Sequence, residues 1–164
     1  MAKVASVSRS EMRAVASKGM TLARLLVPLD FSAGSLAGLD YAVDLGKQFG
    51  AELVLLFVVE PLYYAGDLGL LLEEQQRFGR EEMARLEARL KKQGVAFRTL
   101  VQTGTPYQVI VDVARRLRVD LVVMASHGRT GLSHMLLGSV AEKVVRTAAC
   151  PVLTIRPRAR TARR

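Results

Sequence analysis

The residues most suited to chemistry lie between Ala125 and Val140. Ala125-Ser126-His127-Gly128 is followed by Arg129, Gly131 and His134, and Gly138-Ser139 then opens a stretch with helical spacing. Glycines at 128, 131 and 138 allow sharp turns and a close approach of backbone to a ligand. A helix that starts after them offers unpaired N–H groups, backed by the helix dipole, to an anion such as phosphate. The Ser139 hydroxyl can add a hydrogen bond, and Arg129 and His134 can add positive charge, the latter only when protonated. A second candidate is Pro28-Leu29-Asp30, where an apolar run ends on a carboxylate. Neither a GxxxxGK[ST] run nor a GxGxxG after the first strand is present, so the common phosphate-loop and dinucleotide patterns are absent. On the residues alone two readings stand: an anion site, or a flexible linker ending in an ordinary serine N-cap.

Those residues need a scaffold, and the periodicity supplies one. Leu22–Leu29 and Leu53–Val59 are near-continuous apolar runs, as expected of strands buried on both faces of a parallel sheet. Val95–Gln102 is more polar and reads as a strand nearer an edge; Leu121–Ala125 and Pro151–Ile155 complete the set. Between them lie four helical patterns. The first is capped by Ser32 and closed by Gly50, with Leu36, Leu39, Val43 and Phe49 on one face. The second runs from Glu73 to Gln93 with Met83, Leu86 and Leu90 inward and Glu81–Arg85 and Glu87–Lys91 as supporting pairs. The third starts at Thr105-Pro106-Tyr107-Gln108, which reads as a capping box, and buries Val109, Ile110, Val113, Ala114 and Leu117. The fourth, from Ser139 to Thr147, buries Val140, Val144, Val145 and Ala148. Residues 61–72, with Tyr63, Tyr64, Gly66 and Gly69, form a longer connection. Strand and helix alternate, which predicts an α/β fold: a parallel sheet with helices on both faces and ligands bound beyond the strands' C-terminal ends.

Composition narrows the function. The 164 residues are 50% apolar and 24% charged, which suits one globular domain. The net charge of +9 suggests a polyanion partner, yet residues 1–20 carry +3 and residues 156–164 carry +5, leaving +1 on 21–155. The excess therefore belongs to two basic ends, and nucleic acid is not the expected partner. Residues 1–20 read as a disordered extension with Met20 as a candidate translation start, 21–156 as a single domain, and 157–164 as a basic tail. The one cysteine, Cys150, precludes a disulfide within the chain and reads as a small hydrophobe in a reducing, cytoplasmic setting. No targeting segment stands out, and the Leu53–Val59 run is too short to span a bilayer.

The stretch Leu121-Val122-Val123-Met124-Ala125-Ser126-His127-Gly128-Arg129-Thr130-Gly131-Leu132 resembles the universal stress protein family. So do Leu136-Leu137-Gly138-Ser139-Val140-Ala141-Glu142-Lys143-Val144, Cys150-Pro151-Val152-Leu153 and Val27-Pro28-Leu29-Asp30-Phe31-Ser32, in the expected order from Leu22 to Ile155. The resemblance implies an open five-stranded parallel sheet of order 3-2-1-4-5, Rossmann-like and of the adenine nucleotide alpha hydrolase kind. It implies a homodimer formed through the last strand, Val152 to Ile155. One branch of that family binds ATP, with Mg²⁺ or Mn²⁺, on a pattern of Gly, two residues, Gly, nine residues, then Gly and Ser or Thr. Here Gly128, the nine residues Arg129 to Leu137, Gly138 and Ser139 fit it, while Ala125 stands in place of the opening Gly.

By the same resemblance Asp30 holds or adjoins the ribose, Pro28 and Val58 pack near the adenine, and Met124 lines the cleft. Ala125, Gly128 and Arg129 belong to the loop, and the Gly138, Ser139 and Val140 backbone meets phosphate. Read from its residues alone, Asp30 is also a candidate helix cap. His127 has no evident nucleophile or carboxylate partner in the sequence and reads as a loop-ordering residue. The expectation is a nucleotide-binding regulatory protein, not an enzyme. The alternatives are a nucleotide-free dimeric interaction module, which Ala125 favours, and a slow ATPase or phosphotransferase.

Overall fold

Strand β1 (Arg24–Leu29) and strand β2 (Glu52–Val59) are built almost wholly of large aliphatic side chains, and Leu25, Leu26, Val27, Leu53, Val54, Leu55 and Leu56 are fully buried. Each such side chain gains about 1.5–3 kcal/mol on leaving water, which places these two strands at the centre of any sheet they join. The computed structural model, which describes residues 21–61, 68–128 and 137–156, arranges them so. Helix α1 (Ala33–Phe49) follows β1, helix α2 (Leu68–Gln93) follows β2, and β3 (Phe97–Thr103) leads to α3 (Pro106–Arg116). β4 (Leu121–Ala125), α4 (Ser139–Thr147) and β5 (Val152–Ile155) complete the order. All pairings are parallel, and the five strands lie in the order β3-β2-β1-β4-β5. This is the α/β fold expected from the sequence.

Two cores result, one on each face of the sheet. Leu39 and Val43 of α1 share the first with Met83, Leu86 and Leu90 of α2. Ile110 and Val113 of α3 share the second with Ala141 and Val144 of α4. β3 is half-buried along its length and sits at an edge, as its polarity suggested. The predicted caps of α1 form: Ser32 Oγ accepts the Ser35 N–H at 3.2 Å, and Gly50 closes the helix at φ 67°. Among the described residues, no helix is long and apolar enough to cross a membrane.

Several local expectations are corrected. Helix α2 starts at Leu68, not Glu73. Thr105 makes no side-chain capping bond, so the capping box does not form; Pro106, whose fixed φ already suits a first turn, starts α3. Arg85 pairs with Glu82, one residue nearer, and Glu87 accepts instead from Thr99 Oγ1 at 2.7 Å, because α2 lies against β3. In α4 the inward face is Ala141 and Val144, and Val145, one position round, is 47% exposed. Tyr63, Tyr64, Gly66, Arg129, Gly131, His134 and both basic ends lie outside the described residues.

Candidate functional site

The strand order reverses between β1 and β4: the chain leaves β1 toward β2 on one side and reaches β4 on the other. Their paired register runs over Leu25–Leu121 and Leu26–Val122. A reversal of this kind leaves a crevice beyond the carboxyl ends of the two strands. A cleft of about 260 Å³ lies there, lined by the described residues assigned to the nucleotide site: Pro28, Asp30, Val58, Met124, Ala125, Gly128, Gly138, Ser139 and Val140; Arg129 lies outside the described residues. Gly128 and Ser139 are exposed and mark the mouth, while Met124 and Ala125 are buried. Ile110 and Pro106 of α3, which the sequence reading had assigned only to packing and the helix start, also line it, as does Ser35 of α1. Their alternation and cap positions gave no sign of a ligand face.

The anion-facing end is built by α4. Gly138, not Ser139, is its N-cap, at φ −71° and ψ 155°, and it has no side chain with which to cap. The first intrahelical bond is Glu142 N–H to Gly138 O at 2.8 Å, so the N–H groups of Ser139, Val140 and Ala141 have no acceptor within the helix. The ordinary serine N-cap is thereby set aside; Ser139 occupies the first helical position with its side chain at the cleft. A helix-start charge interaction of this kind is typically about 0.3–1 kcal/mol when exposed. Gly138 N–H donates to Ser126 O at 2.7 Å, which ties the helix start to the end of β4. A Cβ on Gly138 would lie 3.3 Å from that same oxygen, so glycine is required there by close approach and not by backbone dihedral.

Asp30 forms the other polar element. Its Oδ1 accepts the Ser32 N–H at 3.0 Å, so it shapes the turn into α1, but the helix cap itself is Ser32 and not Asp30. It also lines the cleft, and a Cβ on Gly128 would lie 3.0 Å from Oδ2, so Asp30 and the glycine loop are in close apposition. The next residue, Phe31, adopts φ 61°, a left-handed conformation that costs a non-glycine residue on the order of 1–3 kcal/mol. Ala125 is in extended backbone at the end of β4, where its methyl adds no strain.

His127 has a partner that the sequence left unseen. Ser126 Oγ lies 3.0 Å from His127 Nδ1, and Ser126 is only 4% exposed, so the loop is tied within itself at the cleft wall. Adjacent residues in sequence carry no signal that their side chains will meet. Cys150 is half-buried; burial first, and the nearby Asp120 carboxylate second, push its thiol above the ordinary 9.0, so it stays protonated at neutral pH and behaves as a small hydrophobe. Among the described residues no group of three or more His, Cys, Asp or Glu side chains is arranged to hold a metal.

The universal stress protein family model matches residues 21–156, and the chain belongs to that family. It is 33% identical over 138 residues to the universal stress protein MJ0531 of Methanocaldococcus jannaschii, covering 81% of each chain. The universal stress protein UspA of Lactobacillus plantarum superposes with a TM-score of 0.79 at 26% identity, over 84% of this chain and all of the other. The fold is also shared with a universal stress protein solved in complex with cAMP, at 22% identity, 84% and 98% coverage and a TM-score of 0.62. An Arabidopsis thaliana family member with AMP bound matches at 20% identity, 84% and 93% coverage and a TM-score of 0.60.

Proposed function

We propose that this protein binds an adenine nucleotide, ATP, in the cleft between β1 and β4, and that the nucleotide is a regulatory ligand. One observation carries the reading: a single cleft brings together an apolar wall, an acceptor carboxylate and a helix start with three N–H groups that lack an intrahelical acceptor. The three features sort a nucleotide chemically. An anionic phosphate is drawn to the N–H groups of Ser139, Val140 and Ala141 and repelled by Asp30. Sugar hydroxyls are donors, which a carboxylate accepts. An apolar purine face suits Val58, Met124 and Pro28. A cleft of about 260 Å³ is near the lower end of small-molecule pockets and suits a nucleoside, with phosphates lying toward the exposed Ser139.

No cage of protein ligands fits a metal among the described residues, so Mg²⁺ or Mn²⁺ belongs to this reading only as a companion of the phosphates. The single cysteine suits a reducing, cytoplasmic setting. That universal stress proteins of this fold have been solved with cAMP and with AMP supports an adenine ligand. A homodimer through β5 is part of the same proposal. Among the described residues β5 pairs with β4 alone, and Leu153 on it is 37% exposed.

Calorimetric titration tests the site. Saturable ATP binding is expected, with affinity reduced about tenfold or more by Gly138→Val and by Asp30→Ala. Unchanged affinity in both variants removes the site assignment. If millimolar ATP gives neither heat nor a rise in melting temperature, the nucleotide-free interaction module replaces this reading.

A further inference from the structure

We infer that Phe31 is the positioning residue that holds the Asp30 carboxylate in the cleft, and with it the preference for a ribose over a 2′-deoxyribose. The inference rests on the nucleotide reading above and adds the device that orients its sugar-facing group. The turn from β1 to α1 is Asp30-Phe31-Ser32, and its middle residue carries the left-handed φ of 61°. Glycine takes such a conformation freely; phenylalanine does not. Within the turn, Asp30 Oδ1 accepts from Ser32 N–H at 3.0 Å and Ser32 Oγ from Ser35 N–H at 3.2 Å. Those bonds shape the turn without giving phenylalanine any reason to sit at its centre.

The reason is the ring. Its centroid lies 4.9 Å from that of Phe57, tilted at 40°, and 5.7 Å from that of Phe78, edge-on at 89°, while Phe57 and Phe78 are 6.4 Å apart. Both distances are within the range of favourable aromatic pairs. Phe57 and Val58 are neighbours on β2 and so face opposite sides of the sheet. Val58 lines the cleft, and Phe57 belongs to the core beneath α1 and α2. Phe57 in turn has no room to yield, because α2 rests on it at Gly79, where a Cβ would stand 2.3 Å from the ring. The Phe31 ring is thus anchored on a fixed support behind the sheet. The adjoining residue is held forward, its carboxylate against Gly128 at the cleft.

Without the ring, an alanine relaxes to negative φ and swings Asp30 away, and a glycine leaves the turn free to move. The test uses the full chain with Phe31→Ala, Phe31→Gly and Phe31→Tyr, the last retaining a stacking ring. ATP and 2′-deoxy-ATP are titrated into each, and hydrogen exchange of the Ser32 amide is followed without nucleotide. Wild type and Phe31→Tyr are expected to prefer ATP. Phe31→Ala and Phe31→Gly are expected to lose about tenfold in ATP affinity, bring the two ligands toward equality, and exchange the Ser32 amide faster. Glycine is compatible with the turn's dihedral, so it serves if the alanine variant fails to fold. A retained ATP preference in Phe31→Gly, or unchanged Ser32 exchange, overturns the inference. If wild type binds neither nucleotide, the functional reading and the sugar preference fall, and Ser32 exchange still decides whether Phe31 fixes the turn.

Discussion

Ala125 stands where the pattern implied by the family resemblance has glycine, and its backbone conformation bears on what that difference does. It pairs in register with Ile155 at the end of β4, and its φ is not in the left-handed range. A glycine there would gain no conformation that the fold uses and would add freedom to the unfolded chain. Ala125→Gly is therefore expected to leave ATP affinity within about twofold and to lower stability by about 0.4–1 kcal/mol, read by calorimetry and urea unfolding on the same preparation. A gain in affinity of tenfold would mean that the methyl crowds the ligand after all. Gly138 is the opposite case: its missing side chain makes way for Ser126 O, a backbone atom already held by the Gly138 N–H. The glycine spacing made this position legible in the sequence. The backbone conformation of Ala125 and the left-handed φ of Phe31 were not legible, because residue type does not fix a dihedral that distant packing enforces.

At the scale of elements, legibility followed how strongly the packing side of each element was written in its own residues. β1 and β2 were plain from their unbroken aliphatic runs, and the N-cap and C-cap of α1 from Ser32 and Gly50. The start of α2 was not: no acidic residue occupies its first turn, and the first glutamates come only at 73 and 74. Its seat on the sheet was hidden too, since it depends on one small residue. Gly79 leaves space for the Phe57 ring, and a Cβ at that position would fall 2.3 Å from Phe57 Cδ1. Helix propensity favours Gly79→Ala by roughly 1 kcal/mol, whereas overpacking a core contact costs typically 1–3 kcal/mol. The clash is severe and the ring is buried, so net destabilisation is expected. A lowered urea midpoint at constant slope checks it. A stabilised variant would show that α2 can lift from the sheet at little cost.

At the scale of the whole molecule, the open sheet has two edges and only one is suited to self-association. β3 presents Arg98, Thr99, Gln102 and Thr103, and polar or charged side chains discourage pairing at an edge. Glu52 lies 3.5 Å from Arg98 and Gln76 donates to Thr103 at 3.1 Å, so that edge is also engaged with its neighbours. β5 offers Val-Leu-Thr-Ile, with Leu153 37% exposed beside β4 and Val145 47% exposed on α4. Among the described residues β5 pairs only with β4, and a largely apolar strand with one open edge is a template for a second copy of itself. A two-fold arrangement would place Leu153 in both halves of one interface, so a single substitution is felt twice. Leu153→Asp is accordingly expected to raise the dimer dissociation constant by about a hundredfold or more, seen as a shift to monomer in sedimentation equilibrium. Because the cleft proposed for ATP lies at the opposite side of β4 from β5, the Leu153→Asp variant is expected to keep its nucleotide affinity. A variant that stays dimeric would move the interface away from this edge, and one that loses ATP as well would mean that each cleft is completed by the partner copy.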